Sequence, residues 1–192
     1  MRLGEPLRAI RWAARFDDIH EEPNVVGEAD LVVSIALAML QRGSVEEAAS
    51  QLSWTQPSPT GAVDFYGLAV GAIVAAVQGR PEAVEEAASQ ILADGSTYLD
   101  RVFVLMAKAA VAVQAKDHGG VGQAVDAATE ELRSTDDETT RLIVELASAV
   151  FTSSDIAPVV QKMRRVGIDP TSWITVWELA SLSPGRSISD VR

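Results

Sequence analysis

The chain has no cysteine, only two histidines and few aromatic residues, 5% of its 192. Without cysteine there are no disulfides, no thiolate metal sites and no cysteine nucleophile. His20 and His118 are too few and too far apart to suggest a metal or proton-relay site. Basic side chains are also scarce, 16 against 27 acidic, for a net charge of −11. That sign argues against nucleic acid or an anionic membrane as partner and favours solubility. Long apolar runs are missing as well. Segments 31–40, 65–77 and 102–106 all fall short of the roughly 18–20 residues that a membrane span requires. The first residues carry no apolar stretch of the signal-peptide kind, so a cytoplasmic location is expected. Thirteen of the 16 basic residues are Arg, a bias that reads as genome composition.

What is present is 47% hydrophobic residues, with alanine prominent among them, arranged with a period near 3.6. No segment alternates as a strand would. The pattern predicts helices over 6–19, 26–42, 44–53, 61–78, 81–94, 96–115, 121–133, 136–152, 155–166 and 170–182. Gly43, Gly79 and Gly95 suit left-handed helix ends. Pro6, Pro81, Pro158 and Pro170 suit first turns, where a missing N–H costs nothing. Asp169 is a candidate N-cap, and Asp136-Asp137-Glu138 places negative charge at a helix start. Residues 53–60 read as a loop and 183–192 as a flexible tail.

Part of the sequence recurs. Glu46-Glu47-Ala48-Ala49-Ser50-Gln51-Leu52 returns 39 residues later as Glu85-Glu86-Ala87-Ala88-Ser89-Gln90-Ile91, and more weakly as Val125-Asp126-Ala127-Ala128-Thr129-Glu130. Gln41, Gln78 and Gln114 recur at spacings of 37 and 36. Gly4-Glu5-Pro6 with Ala13-Ala14 matches Gly79-Arg80-Pro81 with Ala87-Ala88 about two periods away. Helix–turn–helix units of this period stack because one pair cannot bury its own apolar face. In a chain rich in Ala and Glu, chance matching is the alternative. The expected fold is all-α, an α-solenoid of antiparallel helix pairs in one domain over 1–182: a lone helix 6–19, pairs 26–53, 61–94, 96–133 and 136–166, and a terminal helix 170–182.

The unit running from Leu68 through Gly71-Ala72, Ala75, Gly79-Arg80-Pro81, Val84 and Ala88 to Ile91 resembles the tetratricopeptide repeat. The resemblance is best over 26–94 and looser over 96–166. The family's Trp and Tyr landmarks are replaced here by Leu68 and Ala75, and the third pair has an extra Lys116-Asp117-His118-Gly119-Gly120 in its turn. The resemblance implies a right-handed superhelix that acts in binding or scaffolding. Such degenerate arrays form the regulatory parts of multidomain signalling ATPases, cyclases and transcriptional activators. Residues 4–19 align with the second helix of a unit, so the chain reads either as an excised segment or as a full protein with a lone cap helix.

Helix 61–78 has no polar face between Phe65 and Val77, so something must cover it. The candidates are later helices curling back, a second copy, a partner's apolar helix in the groove, or simple internal burial. Gly67 and Gly71 would allow close backbone approach along one stripe. Arg101 and Lys108, seven apart with Leu105 between them, could join Arg141 to recognise an acidic group; alternatively they pair with local acids such as Glu145. Lys162, Arg164 and Arg165 suit a helix C-terminus. Trp173 and Trp177, four apart, either cap the core or wait for a partner. Trp12 and Phe16 repeat that pattern near the other end.

Searches for chemistry find little. The group Asp17, Asp18, His20, Glu21 and Glu22 lacks a second His. His118-Gly119-Gly120-Val121-Gly122 could form a small anion nest but lacks the strand, Lys and Ser/Thr of a P-loop. The expected function is therefore a non-catalytic protein-interaction or regulatory module with no cofactor and no metal, its partner another protein, its own parent chain or a second copy. The alternative is a sensor that binds an acidic small molecule between helices near Arg101, Lys108 and Arg141. Residues 1–96 carry 6 basic and 14 acidic side chains and 97–192 carry 10 and 13, which would place any anionic ligand toward the C-terminal half.

Overall fold

The computed structural model describes residues 25–53, 64–93 and 95–182, with side chains from Leu31 onward. The expected helix 6–19, the 17–22 group, most of the 53–60 loop and the tail lie outside the described residues. The described residues form nine α-helices and no strand, all-α as expected. In order they are α1 (Val25–Leu40), α2 (Val45–Leu52), α3 (Phe65–Val77), α4 (Pro81–Ile91), α5 (Tyr98–Gln114), α6 (His118–Glu131), α7 (Glu138–Phe151), α8 (Ala157–Arg165) and α9 (Pro170–Ser181).

Two helix starts differ from expectation by more than two residues, and aspartate capping explains both. The helix expected from 61 begins at Phe65, where the Asp64 carboxylate accepts the Gly67 N–H at 2.8 Å. The helix expected from 121 begins at His118, because Asp117 accepts the Gly120 N–H at 3.0 Å. A cap of this kind contributes about 1 kcal/mol, enough to offset much of the cost of a glycine inside the first turn. The supposed glycine-rich turn is therefore helical, and its own Asp117 carboxylate occupies the place an anion would take.

α1, α3, α5 and α7 end in the same way. The N–H groups of Ser44, Arg80, Asp117 and Ser154 donate back to the carbonyls of Met39, Ala75, Ala112 and Ala149 at 2.8–3.0 Å. This closure needs one left-handed residue. Gly43 (φ +83°) and Gly79 (φ +68°) supply it without strain, whereas Lys116 (φ +59°) and Ser153 (φ +54°) adopt it with a Cβ in place. Replacing either by Gly removes that strain. Lys116→Gly and Ser153→Gly should each raise stability by about 0.5–1 kcal/mol in urea denaturation, and Gly79→Ala should lower it by a similar amount.

Each of these four helices packs on the helix that follows it, α1 on α2, α3 on α4, α5 on α6 and α7 on α8. They also pack on one another in succession, and α2, α4 and α6 each meet the first helix of the next pair. Among the alanines of the recurring segment, Ala48, Ala87, Ala88 and Ala128 are buried, Ala49 is half-buried and Ala127 is exposed. α3 is surrounded by α1, α2, α4, α5 and α9, so a later helix curling back supplies its cover. The Gly67–Gly71 stripe does not mark a close approach. The atoms nearest a Cβ on Gly67 would be those of the Asp64 carboxylate, and one on Gly71 would meet no described atom within 4 Å.

Candidate functional site

The face formed by α3, α5 and α7 carries α9, which packs on all three and touches α8. α9 is amphipathic. Trp173, Val176, Trp177 and Ala180 are fully buried along one stripe, while Thr171 and Glu178 face solvent. The spacing i, i+3, i+4, i+7 places all four on one side of a 3.6-residue helix. Asp169 caps the helix by accepting the Thr171 N–H at 2.9 Å, and Pro170 fills the first turn.

Two aromatic anchors hold this helix. The Trp173 and Trp177 rings stack on each other at 5.7 Å between centroids. Trp173 then lies 6.0 Å from Phe103 of α5, and Trp177 meets Phe151 of α7 edge-on at 5.8 Å. Aromatic contacts of this geometry contribute about 0.5–1.5 kcal/mol beyond the area they bury. The tryptophans thus cap the core of their own chain, and neither exposes surface that a partner could use in this state. Trp177 Nε1 is buried with no hydrogen-bond partner. Gln114, at the end of α5, donates its side-chain amide to the carbonyls of Ala76 in α3 and Ala180 in α9, each at 2.8 Å.

The cationic group anticipated from the sequence does not converge on an open site. Arg101 donates to Glu131 at 2.8 Å and to the Ser96 carbonyl at 2.7 Å. Lys108 turns to Glu85 of α4 at 3.0 Å. Arg141 donates to the Leu132 and Thr135 carbonyls at 3.4 and 3.0 Å, beside the end of α6. Leu105 belongs to the core at 8% exposure. Glu145, expected as a partner for these cations, pairs instead with Lys162 at 2.9 Å. Lys162, Arg164 and Arg165 occupy the last turn of α8, where the helix dipole favours them. No cluster of three His, Asp or Glu suited to a metal occurs among the described residues, and none of the described helices is long and apolar enough to cross a membrane.

A polar contact missed at the sequence level joins successive first helices. Tyr98 Oη donates to Asp137 Oδ2 at 3.0 Å, linking the start of α5 to the N-cap of α7. Burial pushes the Asp137 carboxyl up, but hydrogen bonds from the Thr140 hydroxyl and N–H, from Tyr98 and from the Thr139 N–H outweigh it and leave it below its ordinary value. For Tyr98, burial first and then the neighbouring carboxylate push the phenol up. A carboxyl lowered on folding contributes stability that is present above its unfolded value and lost as pH falls through the folded one. A raised phenol likewise contributes below its unfolded value, and that contribution is lost as pH rises through the folded one. Stability should therefore fall at both extremes, and Asp137→Asn should flatten the acid limb. Tyr98→Phe should cost about 1 kcal/mol at neutral pH and flatten the alkaline limb. Urea midpoints across pH check all three.

Comparison with family models, with curated proteins and with solved structures finds no match.

Proposed function

We propose that the chain is a non-catalytic interaction or regulatory module, a TPR-like solenoid whose first helices form an inner face that receives a helix. The observation that carries this is α9, an amphipathic helix seated on α3, α5 and α7 by two aromatic anchors. A face that takes one helix through apolar burial has the chemistry to take another. The recurring left-handed closures after α1, α3, α5 and α7, at residues 43, 79, 116 and 153, are 36 or 37 residues apart and support a stack of similar pairs. The partner is another protein or a further part of the same parent chain.

The test is reconstitution. A protein recovered with the tagged chain at native expression level should, once purified, form a stoichiometric complex with the full chain in calorimetry. The competing reading is a sensor of acidic small molecules. It requires Arg101, Lys108 and Arg141 to leave the carboxylates and carbonyls they now hold. A thermal-shift screen with acidic metabolites separates the two. Stabilisation by such a metabolite, lost in Arg101→Gln, with no reconstituted protein complex, would replace the interaction reading with the sensor.

A further inference from the structure

We infer that α1 carries a second docking surface, the stripe of Leu31, Ile35 and Ala38, and that residues 6–19 of the same chain dock on it as a helix and close that end of the stack. This holds whether or not the chain is an interaction module.

α1 has two apolar stripes on opposite sides. Val33, Ala36, Leu37 and Leu40 form the first and belong to the core. Leu31, Ile35 and Ala38 recur at i, i+4 and i+7 about half a turn away, so they share the other side. None of these three belongs to the core or packs against it among the described residues. Leu31 and Ile35 are nonetheless half-buried, and Ala38 is only 3% exposed. The core does not account for that burial.

The stacking order says what belongs there. α2, α4 and α6 each pack on the first helix of the next pair, so α3, α5 and α7 each lie between two second helices. α1 has α2 and no earlier second helix among the described residues. Residues 6–19 have the sequence of one. At an offset of 74, Ile10, Ala13 and Ala14 align with Val84, Ala87 and Ala88, which are buried in α4. Residues 20–24 join the segment to α1. That link is close in length to 92–97 and 132–137, which turn α4 onto α5 and α6 onto α7. Short links of this kind place successive helices side by side and antiparallel. The tether also holds the segment at high local concentration beside α1, which favours it over a second copy or a separate partner. A stack of helix pairs needs an end helix with a polar outer side. Arg8, Arg11 and Arg15 share one side of a helix and supply that surface once Ile10, Ala13 and Ala14 are buried.

Because the chain has no cysteine, a nitroxide can be attached at one chosen site of the full-length protein. Arg42→Cys places it just past the end of α1, one turn beyond Ala38, where the side chain is exposed. In the antiparallel arrangement the label should broaden the amide resonances of residues 7–10 strongly and those of 16–19 far less. Broadening of 54–60 in place of 7–10 would give the stripe to that loop and overturn the inference, as would no broadening of either. A mixture of nitroxide-bearing chains and label-free, isotope-enriched chains should show no broadening of 7–10. If it does, the occupant is a second copy and the inference fails.

Hydrogen exchange on full-length variants gives the second test. Ile35→Asp puts a charge in the stripe and should speed exchange of the 9–19 amides by about 10-fold or more, while those at the centres of α5 and α7 change little. Unchanged exchange of 9–19 would count against docking. Should Ile35→Asp fail to fold, Ala13→Asp probes the contact from the segment's own side and should speed the α1 amides between Leu31 and Ala38. In the parent chain, exchange of 9–19 at the rate of an unstructured peptide would end the inference outright. None of these outcomes bears on the reconstitution test of the interaction reading.

Discussion

Trp177→Ala should destabilise the protein by about 3 kcal/mol, and Trp173→Ala by more, about 4–5 kcal/mol. Both rings are fully buried and stacked on each other, and each meets a phenylalanine of a first helix. Truncation to Ala removes the transfer free energy of the ring and leaves a cavity that a helical stack closes only in part. The two tryptophans differ in one respect. Truncating Trp177 also removes the buried indole N–H that has no partner, which recovers part of the loss. Trp177→Phe keeps most of the ring while deleting that donor, so it should cost distinctly less than Trp177→Ala. Urea denaturation of the four chains gives the ranking directly. A larger loss for Trp177 than for Trp173 would mean that the indole N–H is satisfied in solution. The double truncation is also informative. If α9 leaves as a unit, its loss cannot exceed the free energy that docks α9, so the double variant should fall little below the single Trp173→Ala. If α9 unfolds only with the rest, the two losses should accumulate apart from their direct stacking energy.

Most helices of the described chain were legible because their signals are local. Asp169, Pro170, Pro81 and Pro158 mark starts, Gly43 and Gly79 mark ends, and each acts through the backbone within a few residues of itself. The two misplaced starts share one cause. Asp64 and Asp117 lie just before segments of ambiguous helix propensity, and a cap overrides propensity for a turn. The candidate site was only half legible. The stripe of Trp173 and Trp177 is plain in the sequence, and so is the need to cover α3. That the first satisfies the second is a tertiary fact, decided by where the chain turns after Gly167. The cations failed for a different reason. Arg101 and Lys108 share a helix face, but the acids they meet, Glu131 and Glu85, stand on different helices, so helical spacing alone could not assign them. The Tyr98–Asp137 link, 39 residues apart in sequence, is likewise set by packing.

Gln114→Leu should destabilise the chain by about 2 kcal/mol, with most of the loss felt at α9. The side chains are similar in size, so packing changes little, and the effect falls on hydrogen bonds. Gln114 serves two carbonyls near helix C-termini, where intrahelical donors run out. The Ala76 carbonyl also accepts from the Gly79 N–H at 3.0 Å, so it keeps a partner when Gln114 is gone. The Ala180 carbonyl depends more on Gln114, as it lies one residue before the end of α9. A net bond contributes about 1 kcal/mol, and leaving a part-buried acceptor unpaired costs about as much again. Hydrogen exchange should show the localisation. Amides of α9 should exchange faster in Gln114→Leu by roughly 10-fold or more, as a 1.4 kcal/mol change implies, while those at the centres of α3 and α5 should slow or quicken far less. Equal acceleration across α3, α5 and α9 would instead make Gln114 a bond of the general core. Of the recurring glutamines, Gln114 reaches back to the carbonyl end of α3 and across to α9, which ties α3, α5 and α9 by hydrogen bonds.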